Sequence, residues 1–188
     1  MKRWHAVVAY VIIPGIDGSD GQHWQTLWER QWGTSAVRIS PASWSTPELE
    51  DWGDAVGAAY DEARRLGDRV VLVAHSLGCW AVSTWLDANP SSPVAGAFLA
   101  APPDPHGPAF PRQAAASFTT VSAQPLPCPA LVVGSLDDPY CTPEAATDLA
   151  ARWAAQWHVT GPHGHLNSAS GLGPWPDGRK LLDSLTQQ

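Results

Sequence analysis

Residues 69–80, RVVLVAHSLGCW, join two patterns that few folds accommodate side by side. The run Val70-Val71-Leu72-Val73-Ala74 is apolar throughout and rich in β-branched residues, which predicts a buried parallel strand. After it the spacing changes: Trp80, Ala81, Thr84, Trp85 and Ala88 fall on one helical face, and Pro90 stops the pattern. Between strand and helix stands Ala74-His75-Ser76-Leu77-Gly78, a serine with a small residue two positions before it and two after. That is the nucleophile-elbow pattern, with Ala in place of its first glycine. The small residues matter because so sharp a turn leaves no room for side chains against the neighbouring backbone. Ser76 would stand exposed at the strand's carboxyl end, with the first N–H groups of the helix aimed at the oxygen of whatever it attacks. A serine N-cap on an ordinary turn is the plainer reading. Partners elsewhere in the chain decide between the two.

At 188 residues and 44% hydrophobic, residues 1–188 form one domain able to bury a core without disulfides or metals. Eleven Lys+Arg against eighteen Asp+Glu give a net charge of -7, which argues against nucleic acid and anionic membranes as partners. Cys79, Cys128 and Cys141 are odd in number and irregularly spaced, so free thiols and a reducing compartment are expected. The apolar run 6–13 is too short to span a membrane and ends in Pro14-Gly15 rather than a cleavage site. A cytoplasmic location is expected.

Residues 5–13 predict the first strand. The glycine-rich loop 14–21 follows, without the Lys-Ser/Thr ending of a phosphate loop or the spacing of a dinucleotide fingerprint. In a chain with a serine elbow, the loop after an early strand supplies the second oxyanion-hole N–H. Ile16 is the candidate, alongside Leu77. Further strands are predicted over 35–40, 94–100, 130–134 and 156–160. Helices are predicted over 23–32, from 46 or 47 up to Gly67, over 143–153 and over 178–185. Six strands alternating with helices indicate an α/β fold with a doubly wound, mostly parallel sheet. The Pro-, Ala- and Ser-rich stretch from 101 to 127 is too short to be a cap domain.

A serine hydroxyl needs a base, commonly a histidine held by a carboxylate. The pair Asp137-Asp138 follows the strand over 130–134, and His165 follows the last strand, so the chain order is Ser, Asp, His. All three would emerge at the carboxyl edge of the sheet, where open α/β sheets bind ligands. Gly164-His165 suits a turn that presents an imidazole inward, which favours His165 over His163. Of the two carboxylates, Asp138 precedes Pro139, whose ring holds it extended and gives its side chain a fixed direction. Asp137 would then face solvent or cap the following loop. A metal site combining His163, His165 and the aspartates lacks a second ligand pair at a recognisable spacing. His75 is expected to point away from Ser76, into the structure or along the sheet. His23 either lines the site or hydrogen-bonds its loop.

The motifs together resemble a known family: the small α/β hydrolases related to retinoblastoma-binding protein 9. The matching stretches are Pro14-Gly15 with His23-Trp24-Gln25, then His75-Ser76-Leu77-Gly78, then Ser135-Leu136-Asp137-Asp138-Pro139-Tyr140. Gly164-His165-Leu166-Asn167 and Gly171-x-Gly173-x-Trp175-Pro176 complete them. The resemblance implies a compact α/β-hydrolase fold with Ser76 as nucleophile, Asp138 as acid member and His165 as base. It implies no metal or organic cofactor, and small carboxylic esters or related amides as substrates. The family's Leu-x-Cys-x-Glu segment is not kept, since Leu126-Pro127-Cys128-Pro129-Ala130 ends in alanine. No protein partner is carried over. Eleven tryptophans are many for this length; Trp44 and Trp175 lie in loops and are expected, with His23, to wall a substrate pocket. The alternative is a non-catalytic interaction module built on the same fold.

Overall fold

The computed structural model describes residues 6–186; His5, expected in the first strand, lies outside them. The strands are β1 (Val8–Ile13), β2 (Ala36–Arg38), β3 (Arg69–His75), β4 (Val94–Ala100), β5 (Ala130–Gly134) and β6 (Gln156–Val159). The helices are α1 (Trp24–Trp32), α2 (Leu49–Leu66), α3 (Leu77–Ala88), α4 (Pro143–Arg152) and α5 (Pro176–Thr186). The strands form one sheet in the order β2-β1-β3-β4-β5-β6, with every neighbouring pair parallel. β4 and β5 have the expected bounds. β2 is shorter than expected at both ends: a 3₁₀ turn over Gly33–Ser35 takes up Ser35, and the pairing with β1 stops at Arg38, before Ile39 and Ser40.

Alternation along the strands divides the core in two. Val11, Ile13, Leu72, Ala74 and Leu99 face a layer built by α2, α3 and α4, with Trp52, Val56 and Trp80 among its members. Ile12, Val71, Val73, Phe98 and Val133 face the opposite layer, where α1 and α5 contribute Trp24, Trp28, Leu182 and Leu185. Both strand faces are buried, hence the unbroken apolar runs seen in the sequence. The stretch from 101 to 127 adds no cap. It contains one 3₁₀ turn, Ala116–Thr120, and packs Phe110, Ala115 and Phe118 into the α2–α3 layer.

The chain lays β2 on one side of β1 and then returns across it to place β3 on the other side. This reversal makes the space between the carboxyl ends of β1 and β3 the topological switch point. Gln25, fully buried in α1, ties both strands together there. Its amide nitrogen donates to the carbonyls of Ile13 (3.2 Å) and Val73 (3.0 Å), and its oxygen accepts from the Ser19 hydroxyl (2.6 Å). α3 then approaches the end of β1 so closely that only glycine fits at position 78. A Cβ there would lie 2.4 Å from the Ile13 carbonyl oxygen and 2.5 Å from that of Pro14.

Two glycine-to-alanine changes should therefore act in opposite directions. Gly78→Ala should lower unfolding stability by about 3 kcal/mol, at the upper end of overpacking costs, because the obstructing atoms are backbone. Gly53→Ala, inside α2 with no atom within 4 Å of the new methyl, should raise stability by up to about 1 kcal/mol. Urea midpoints of the two variants check both signs.

Candidate active site

Ser76 links β3 to α3 with φ 56° and ψ -130°, a conformation that non-glycine residues rarely adopt. Its N–H donates to the Ala100 carbonyl at 2.9 Å, which pins the turn to β4. Leu77 is the first residue of α3, so its N–H is among those without an acceptor inside the helix. Across from it runs the loop after β1. A Cβ on Gly15 would stand 2.7 Å from the Ser76 Cβ and 3.1 Å from its Oγ, so glycine is required for this approach. Ile16 follows and lines the same cavity as Ser76.

His165 lies between Ser76 and Asp138. Its Nε2 is 2.9 Å from Ser76 Oγ, and its Nδ1 is 3.0 and 2.9 Å from the two carboxylate oxygens of Asp138. Nδ1 carries the proton donated to the carboxylate, so the Nε2 lone pair accepts from the serine hydroxyl. The Asp138 side chain is only 2% exposed and also accepts the Tyr140 N–H at 2.9 Å. The His165 ring packs against Tyr140 and His75, at centroid distances of 4.5 and 5.0 Å.

Several elements hold the loop that carries His165. Ser135 Oγ accepts the His163 N–H at 2.9 Å, and Asp137 Oδ1 accepts the Gly164 N–H at 2.7 Å. Trp24 of α1 donates its indole N–H to the Leu166 carbonyl at 2.8 Å. Ser168 donates to Asp20 at 2.7 Å. Asp137 thus does more than face solvent, since it binds the main chain one residue before His165. The Gly164 amide and then the Ser135 hydroxyl hold its carboxyl below the usual carboxylate range.

His75 continues the Val71, Val73 side of β3 and so enters the α1 layer, away from the direction of the Ser76 side chain. It nevertheless lines the cavity, and its Nε2 donates to the His165 carbonyl at 2.8 Å. His23 caps α1: its Nδ1 accepts the Gln25 N–H at 3.1 Å, while its buried Nε2 has no hydrogen-bond partner among the described residues. Burial pushes the His23 imidazole down to about 4, with Asp20 opposing and Arg38 and His165 reinforcing the shift. Burial likewise lowers His75 well below the usual histidine value, aided by His165 and His23. Both rings are neutral near pH 7. The thiols are protonated as well: burial raises Cys128 to about 11 and Cys141 to about 12, and holds Cys79 well above the usual thiol value.

The cavity over Ser76 has a volume of about 640 Å³. Pro103, Pro111, Ala114 and Tyr140 supply ring and methyl surface to its lining, and Asp17, Asp20, Asn167 and Ser168 supply polar groups. Of the expected pocket residues, His23 lines it and the two tryptophans do not. Trp175 is buried between Trp24 and Trp28, at centroid distances of 5.1 and 6.0 Å. Its φ of 43° turns it inward, and its ring fills the space that a Cβ on Gly178 would need. Trp44 stands behind the Gly18 turn, packs on Trp52 and accepts the Asp17 N–H through its carbonyl at 2.9 Å. Sequence reasoning missed Gln25 as the tie between β1 and β3. A polar residue within the apolar pattern of α1 was the available signal.

A parallel sheet of this order, with a serine turn at the switch point, is an α/β-hydrolase fold. The chain belongs to the serine hydrolase family, whose pattern it matches over residues 10–184. Similar solved structures include a protein described as a YdeN-like hydrolase from Pectobacterium atrosepticum. It is 29% identical, with 96% of this chain and 91% of that chain covered and a TM-score of 0.79. The ydeN gene product of B. subtilis is 22% identical, with coverages of 96% and 99% and a TM-score of 0.76. A thermophilic esterase from Thermogutta terrifontis is 17% identical, with coverages of 95% and 90% and a TM-score of 0.65. At these last two identities the likeness speaks for the fold alone. No curated protein matches the sequence. Among the described residues, no group of three or more His, Cys, Asp or Glu side chains could hold a metal ion, and no helix is long and apolar enough to cross a membrane.

The buried neutral state of His23 has a measurable consequence. A histidine whose folded-state value lies below its unfolded one contributes stability that is complete above the unfolded value. That contribution is lost as pH falls toward the folded one. For His23 the window runs from about 6.5 down to about 4, and the loss amounts to about 3 kcal/mol. His23→Asn keeps an N-cap acceptor but cannot titrate. Its urea midpoint should fall less steeply than that of the wild type across this window, with a residual slope in the same direction from His75. Parallel slopes would show that His23 is not held neutral.

Proposed function

We propose that the protein hydrolyses small carboxylic esters, or related amides, through an acyl-enzyme formed on Ser76. The observation that carries this reading is the hydrogen-bonded chain Asp138–His165–Ser76 at the mouth of a closed turn. In the proposed reaction Ser76 Oγ attacks the substrate carbonyl carbon while His165 Nε2 takes the hydroxyl proton. Asp138 keeps the proton of His165 on Nδ1 and stabilises the imidazolium. The N–H groups of Leu77 and Ile16 hold the oxyanion, each contributing about 3 kcal/mol to the barrier reduction. The imidazolium returns its proton to the leaving oxygen or nitrogen as the bond to the acyl carbon breaks. A water molecule, deprotonated by His165, then attacks the acyl-enzyme, releasing the acid and restoring the serine hydroxyl. No cofactor is needed for these steps.

The stretch 101–127 places no cap domain over the cavity, and an open site of this kind favours a short acyl chain and a small leaving group. Protonated, unpaired thiols fit a cytoplasmic setting. The likeness to hydrolases related to retinoblastoma-binding protein 9 supports the same residue roles.

Wild-type protein should label with a fluorophosphonate probe and cleave p-nitrophenyl acetate faster than the palmitate ester, and Ser76→Ala should do neither. A folded wild-type protein that fails to label would favour the interaction-module reading. The two aspartates should separate cleanly. Asp138→Asn should lower kcat by about 10⁴-fold, because the amide favours the wrong imidazole tautomer. Asp137→Asn keeps an oxygen acceptor for Ser135 and Gly164 and should cost tenfold at most, on the order of 1 kcal/mol. Steady-state kinetics on purified, folded variants decides the ranking.

A further inference from the structure

The residue before the nucleophile holds the base by its main chain, and the nucleophile meets the same residue by its side chain. His75 ends β3 and Ser76 begins the turn, and their side chains leave the chain in different directions. Ser76 Oγ meets His165 Nε2 at 2.9 Å, while His75 Nε2 meets the His165 carbonyl oxygen at 2.8 Å. We propose that His75 is a positioning residue, its Nε2–H holding the His165 carbonyl so that the imidazole stays aligned between Asp138 and Ser76. The inference rests on the hydrolase reading above and adds to it a requirement on a residue that touches no reacting atom.

The local backbone explains why such a hold is needed. Leu166, fully buried, has φ 50°, a strained conformation for a leucine that persists only when its surroundings enforce it. The peptide between His165 and Leu166 is therefore held from outside. Two consecutive carbonyls are captured, that of His165 by His75 and that of Leu166 by the indole of Trp24. If the first is released, the peptide can rotate, and the imidazole turns with the backbone that carries it. A displacement of about 1 Å at such a site costs on the order of a hundredfold in rate.

The chemistry of His75 suits the task. A carbonyl accepts only from a protonated nitrogen, so the bond fixes the Nε2–H tautomer. The ring is buried beside His23, Trp24 and His165, at centroid distances of 4.7, 6.2 and 5.0 Å. Burial and the neighbouring imidazoles keep it neutral, so it donates a hydrogen bond without opposing the positive charge that His165 gains during the reaction.

The test uses two donor-free variants, His75→Phe and His75→Met, and one that restores a donor at similar reach, His75→Gln. Circular dichroism and urea midpoints establish folding. The first readout is the low-field proton resonance of the His165 Nδ1–H, assigned by its loss in His165→Ala. It should persist in wild type and His75→Gln and broaden through faster exchange in the donor-free variants. The second is kcat and KM for p-nitrophenyl acetate. In the donor-free variants kcat should fall ten- to a hundredfold with KM within about threefold, and His75→Gln should recover most of the loss. A folded donor-free variant that keeps both the resonance and kcat within twofold of wild type would overturn the proposal. Loss of activity in His75→Gln equal to that in the donor-free variants would overturn it too, since the donor would then not be what matters. If the wild type shows no esterase activity, the hydrolase reading falls while the resonance still decides what His75 does.

Discussion

Close approach between the Ser76 turn and the end of β1 is the constraint on which the carboxyl edge of this sheet depends. Two glycines permit it from opposite sides: Gly78 lets α3 lie against the Ile13 and Pro14 carbonyls, and Gly15 lets the β1 loop pass the serine. Gln25 then fixes the spacing of β1 and β3 by donating to one carbonyl of each. With that distance set, the N–H groups of Ile16 and Leu77 belong to two segments facing one side chain. A larger residue at either glycine would separate those segments before it disturbed the rest of the sheet.

Burial separates the three imidazoles near Ser76 by their surroundings. His23 and His75 pack against aromatic rings and each other, and desolvation is the largest cause that keeps them uncharged. His165 alone has a carboxylate at its Nδ1. Of the adjacent aspartates, Asp138 points to the ring and Asp137 to the peptide before it, so one carboxylate orients the side chain and the other its loop. The two carboxylates part where the turn at Leu136 and Asp137 ends and Asp138 leads into Pro139.

What the sequence made legible follows from how local each signal is. The strand runs 94–100 and 130–134 and the Ser76 turn are statements about consecutive residues, and they match the structure closely. The order Ser, Asp, His at one sheet edge was readable because a parallel sheet places every strand-to-helix loop at the same end. Side-chain direction in loops was not readable. Trp175 was expected in the pocket and lies in the core, because a positive φ turns it inward, and no periodicity reports a single dihedral. Trp44 supports the Gly18 turn from behind, a contact between loops that no local pattern reports. His75 was expected to turn away from Ser76 and does. Its bond to His165 spans 90 positions in the chain and becomes visible only when β3 and the 163–168 loop stand side by side.

The division of labour around the cavity bears on how such a protein can change over time. The bonds that hold residues 163–168 come from Asp20, Trp24, His75, Ser76, Ser135, Asp137, Asp138 and Ser170. None of these residues lies in the segment that contributes Pro103, Pro111 and Ala114 to the cavity. Mutations in that segment can reshape the space over Ser76 without loosening the supports of His165. Divergence in preference and retention of chemistry are thus assigned to separate stretches of the chain, and drift in the first need not erode the second.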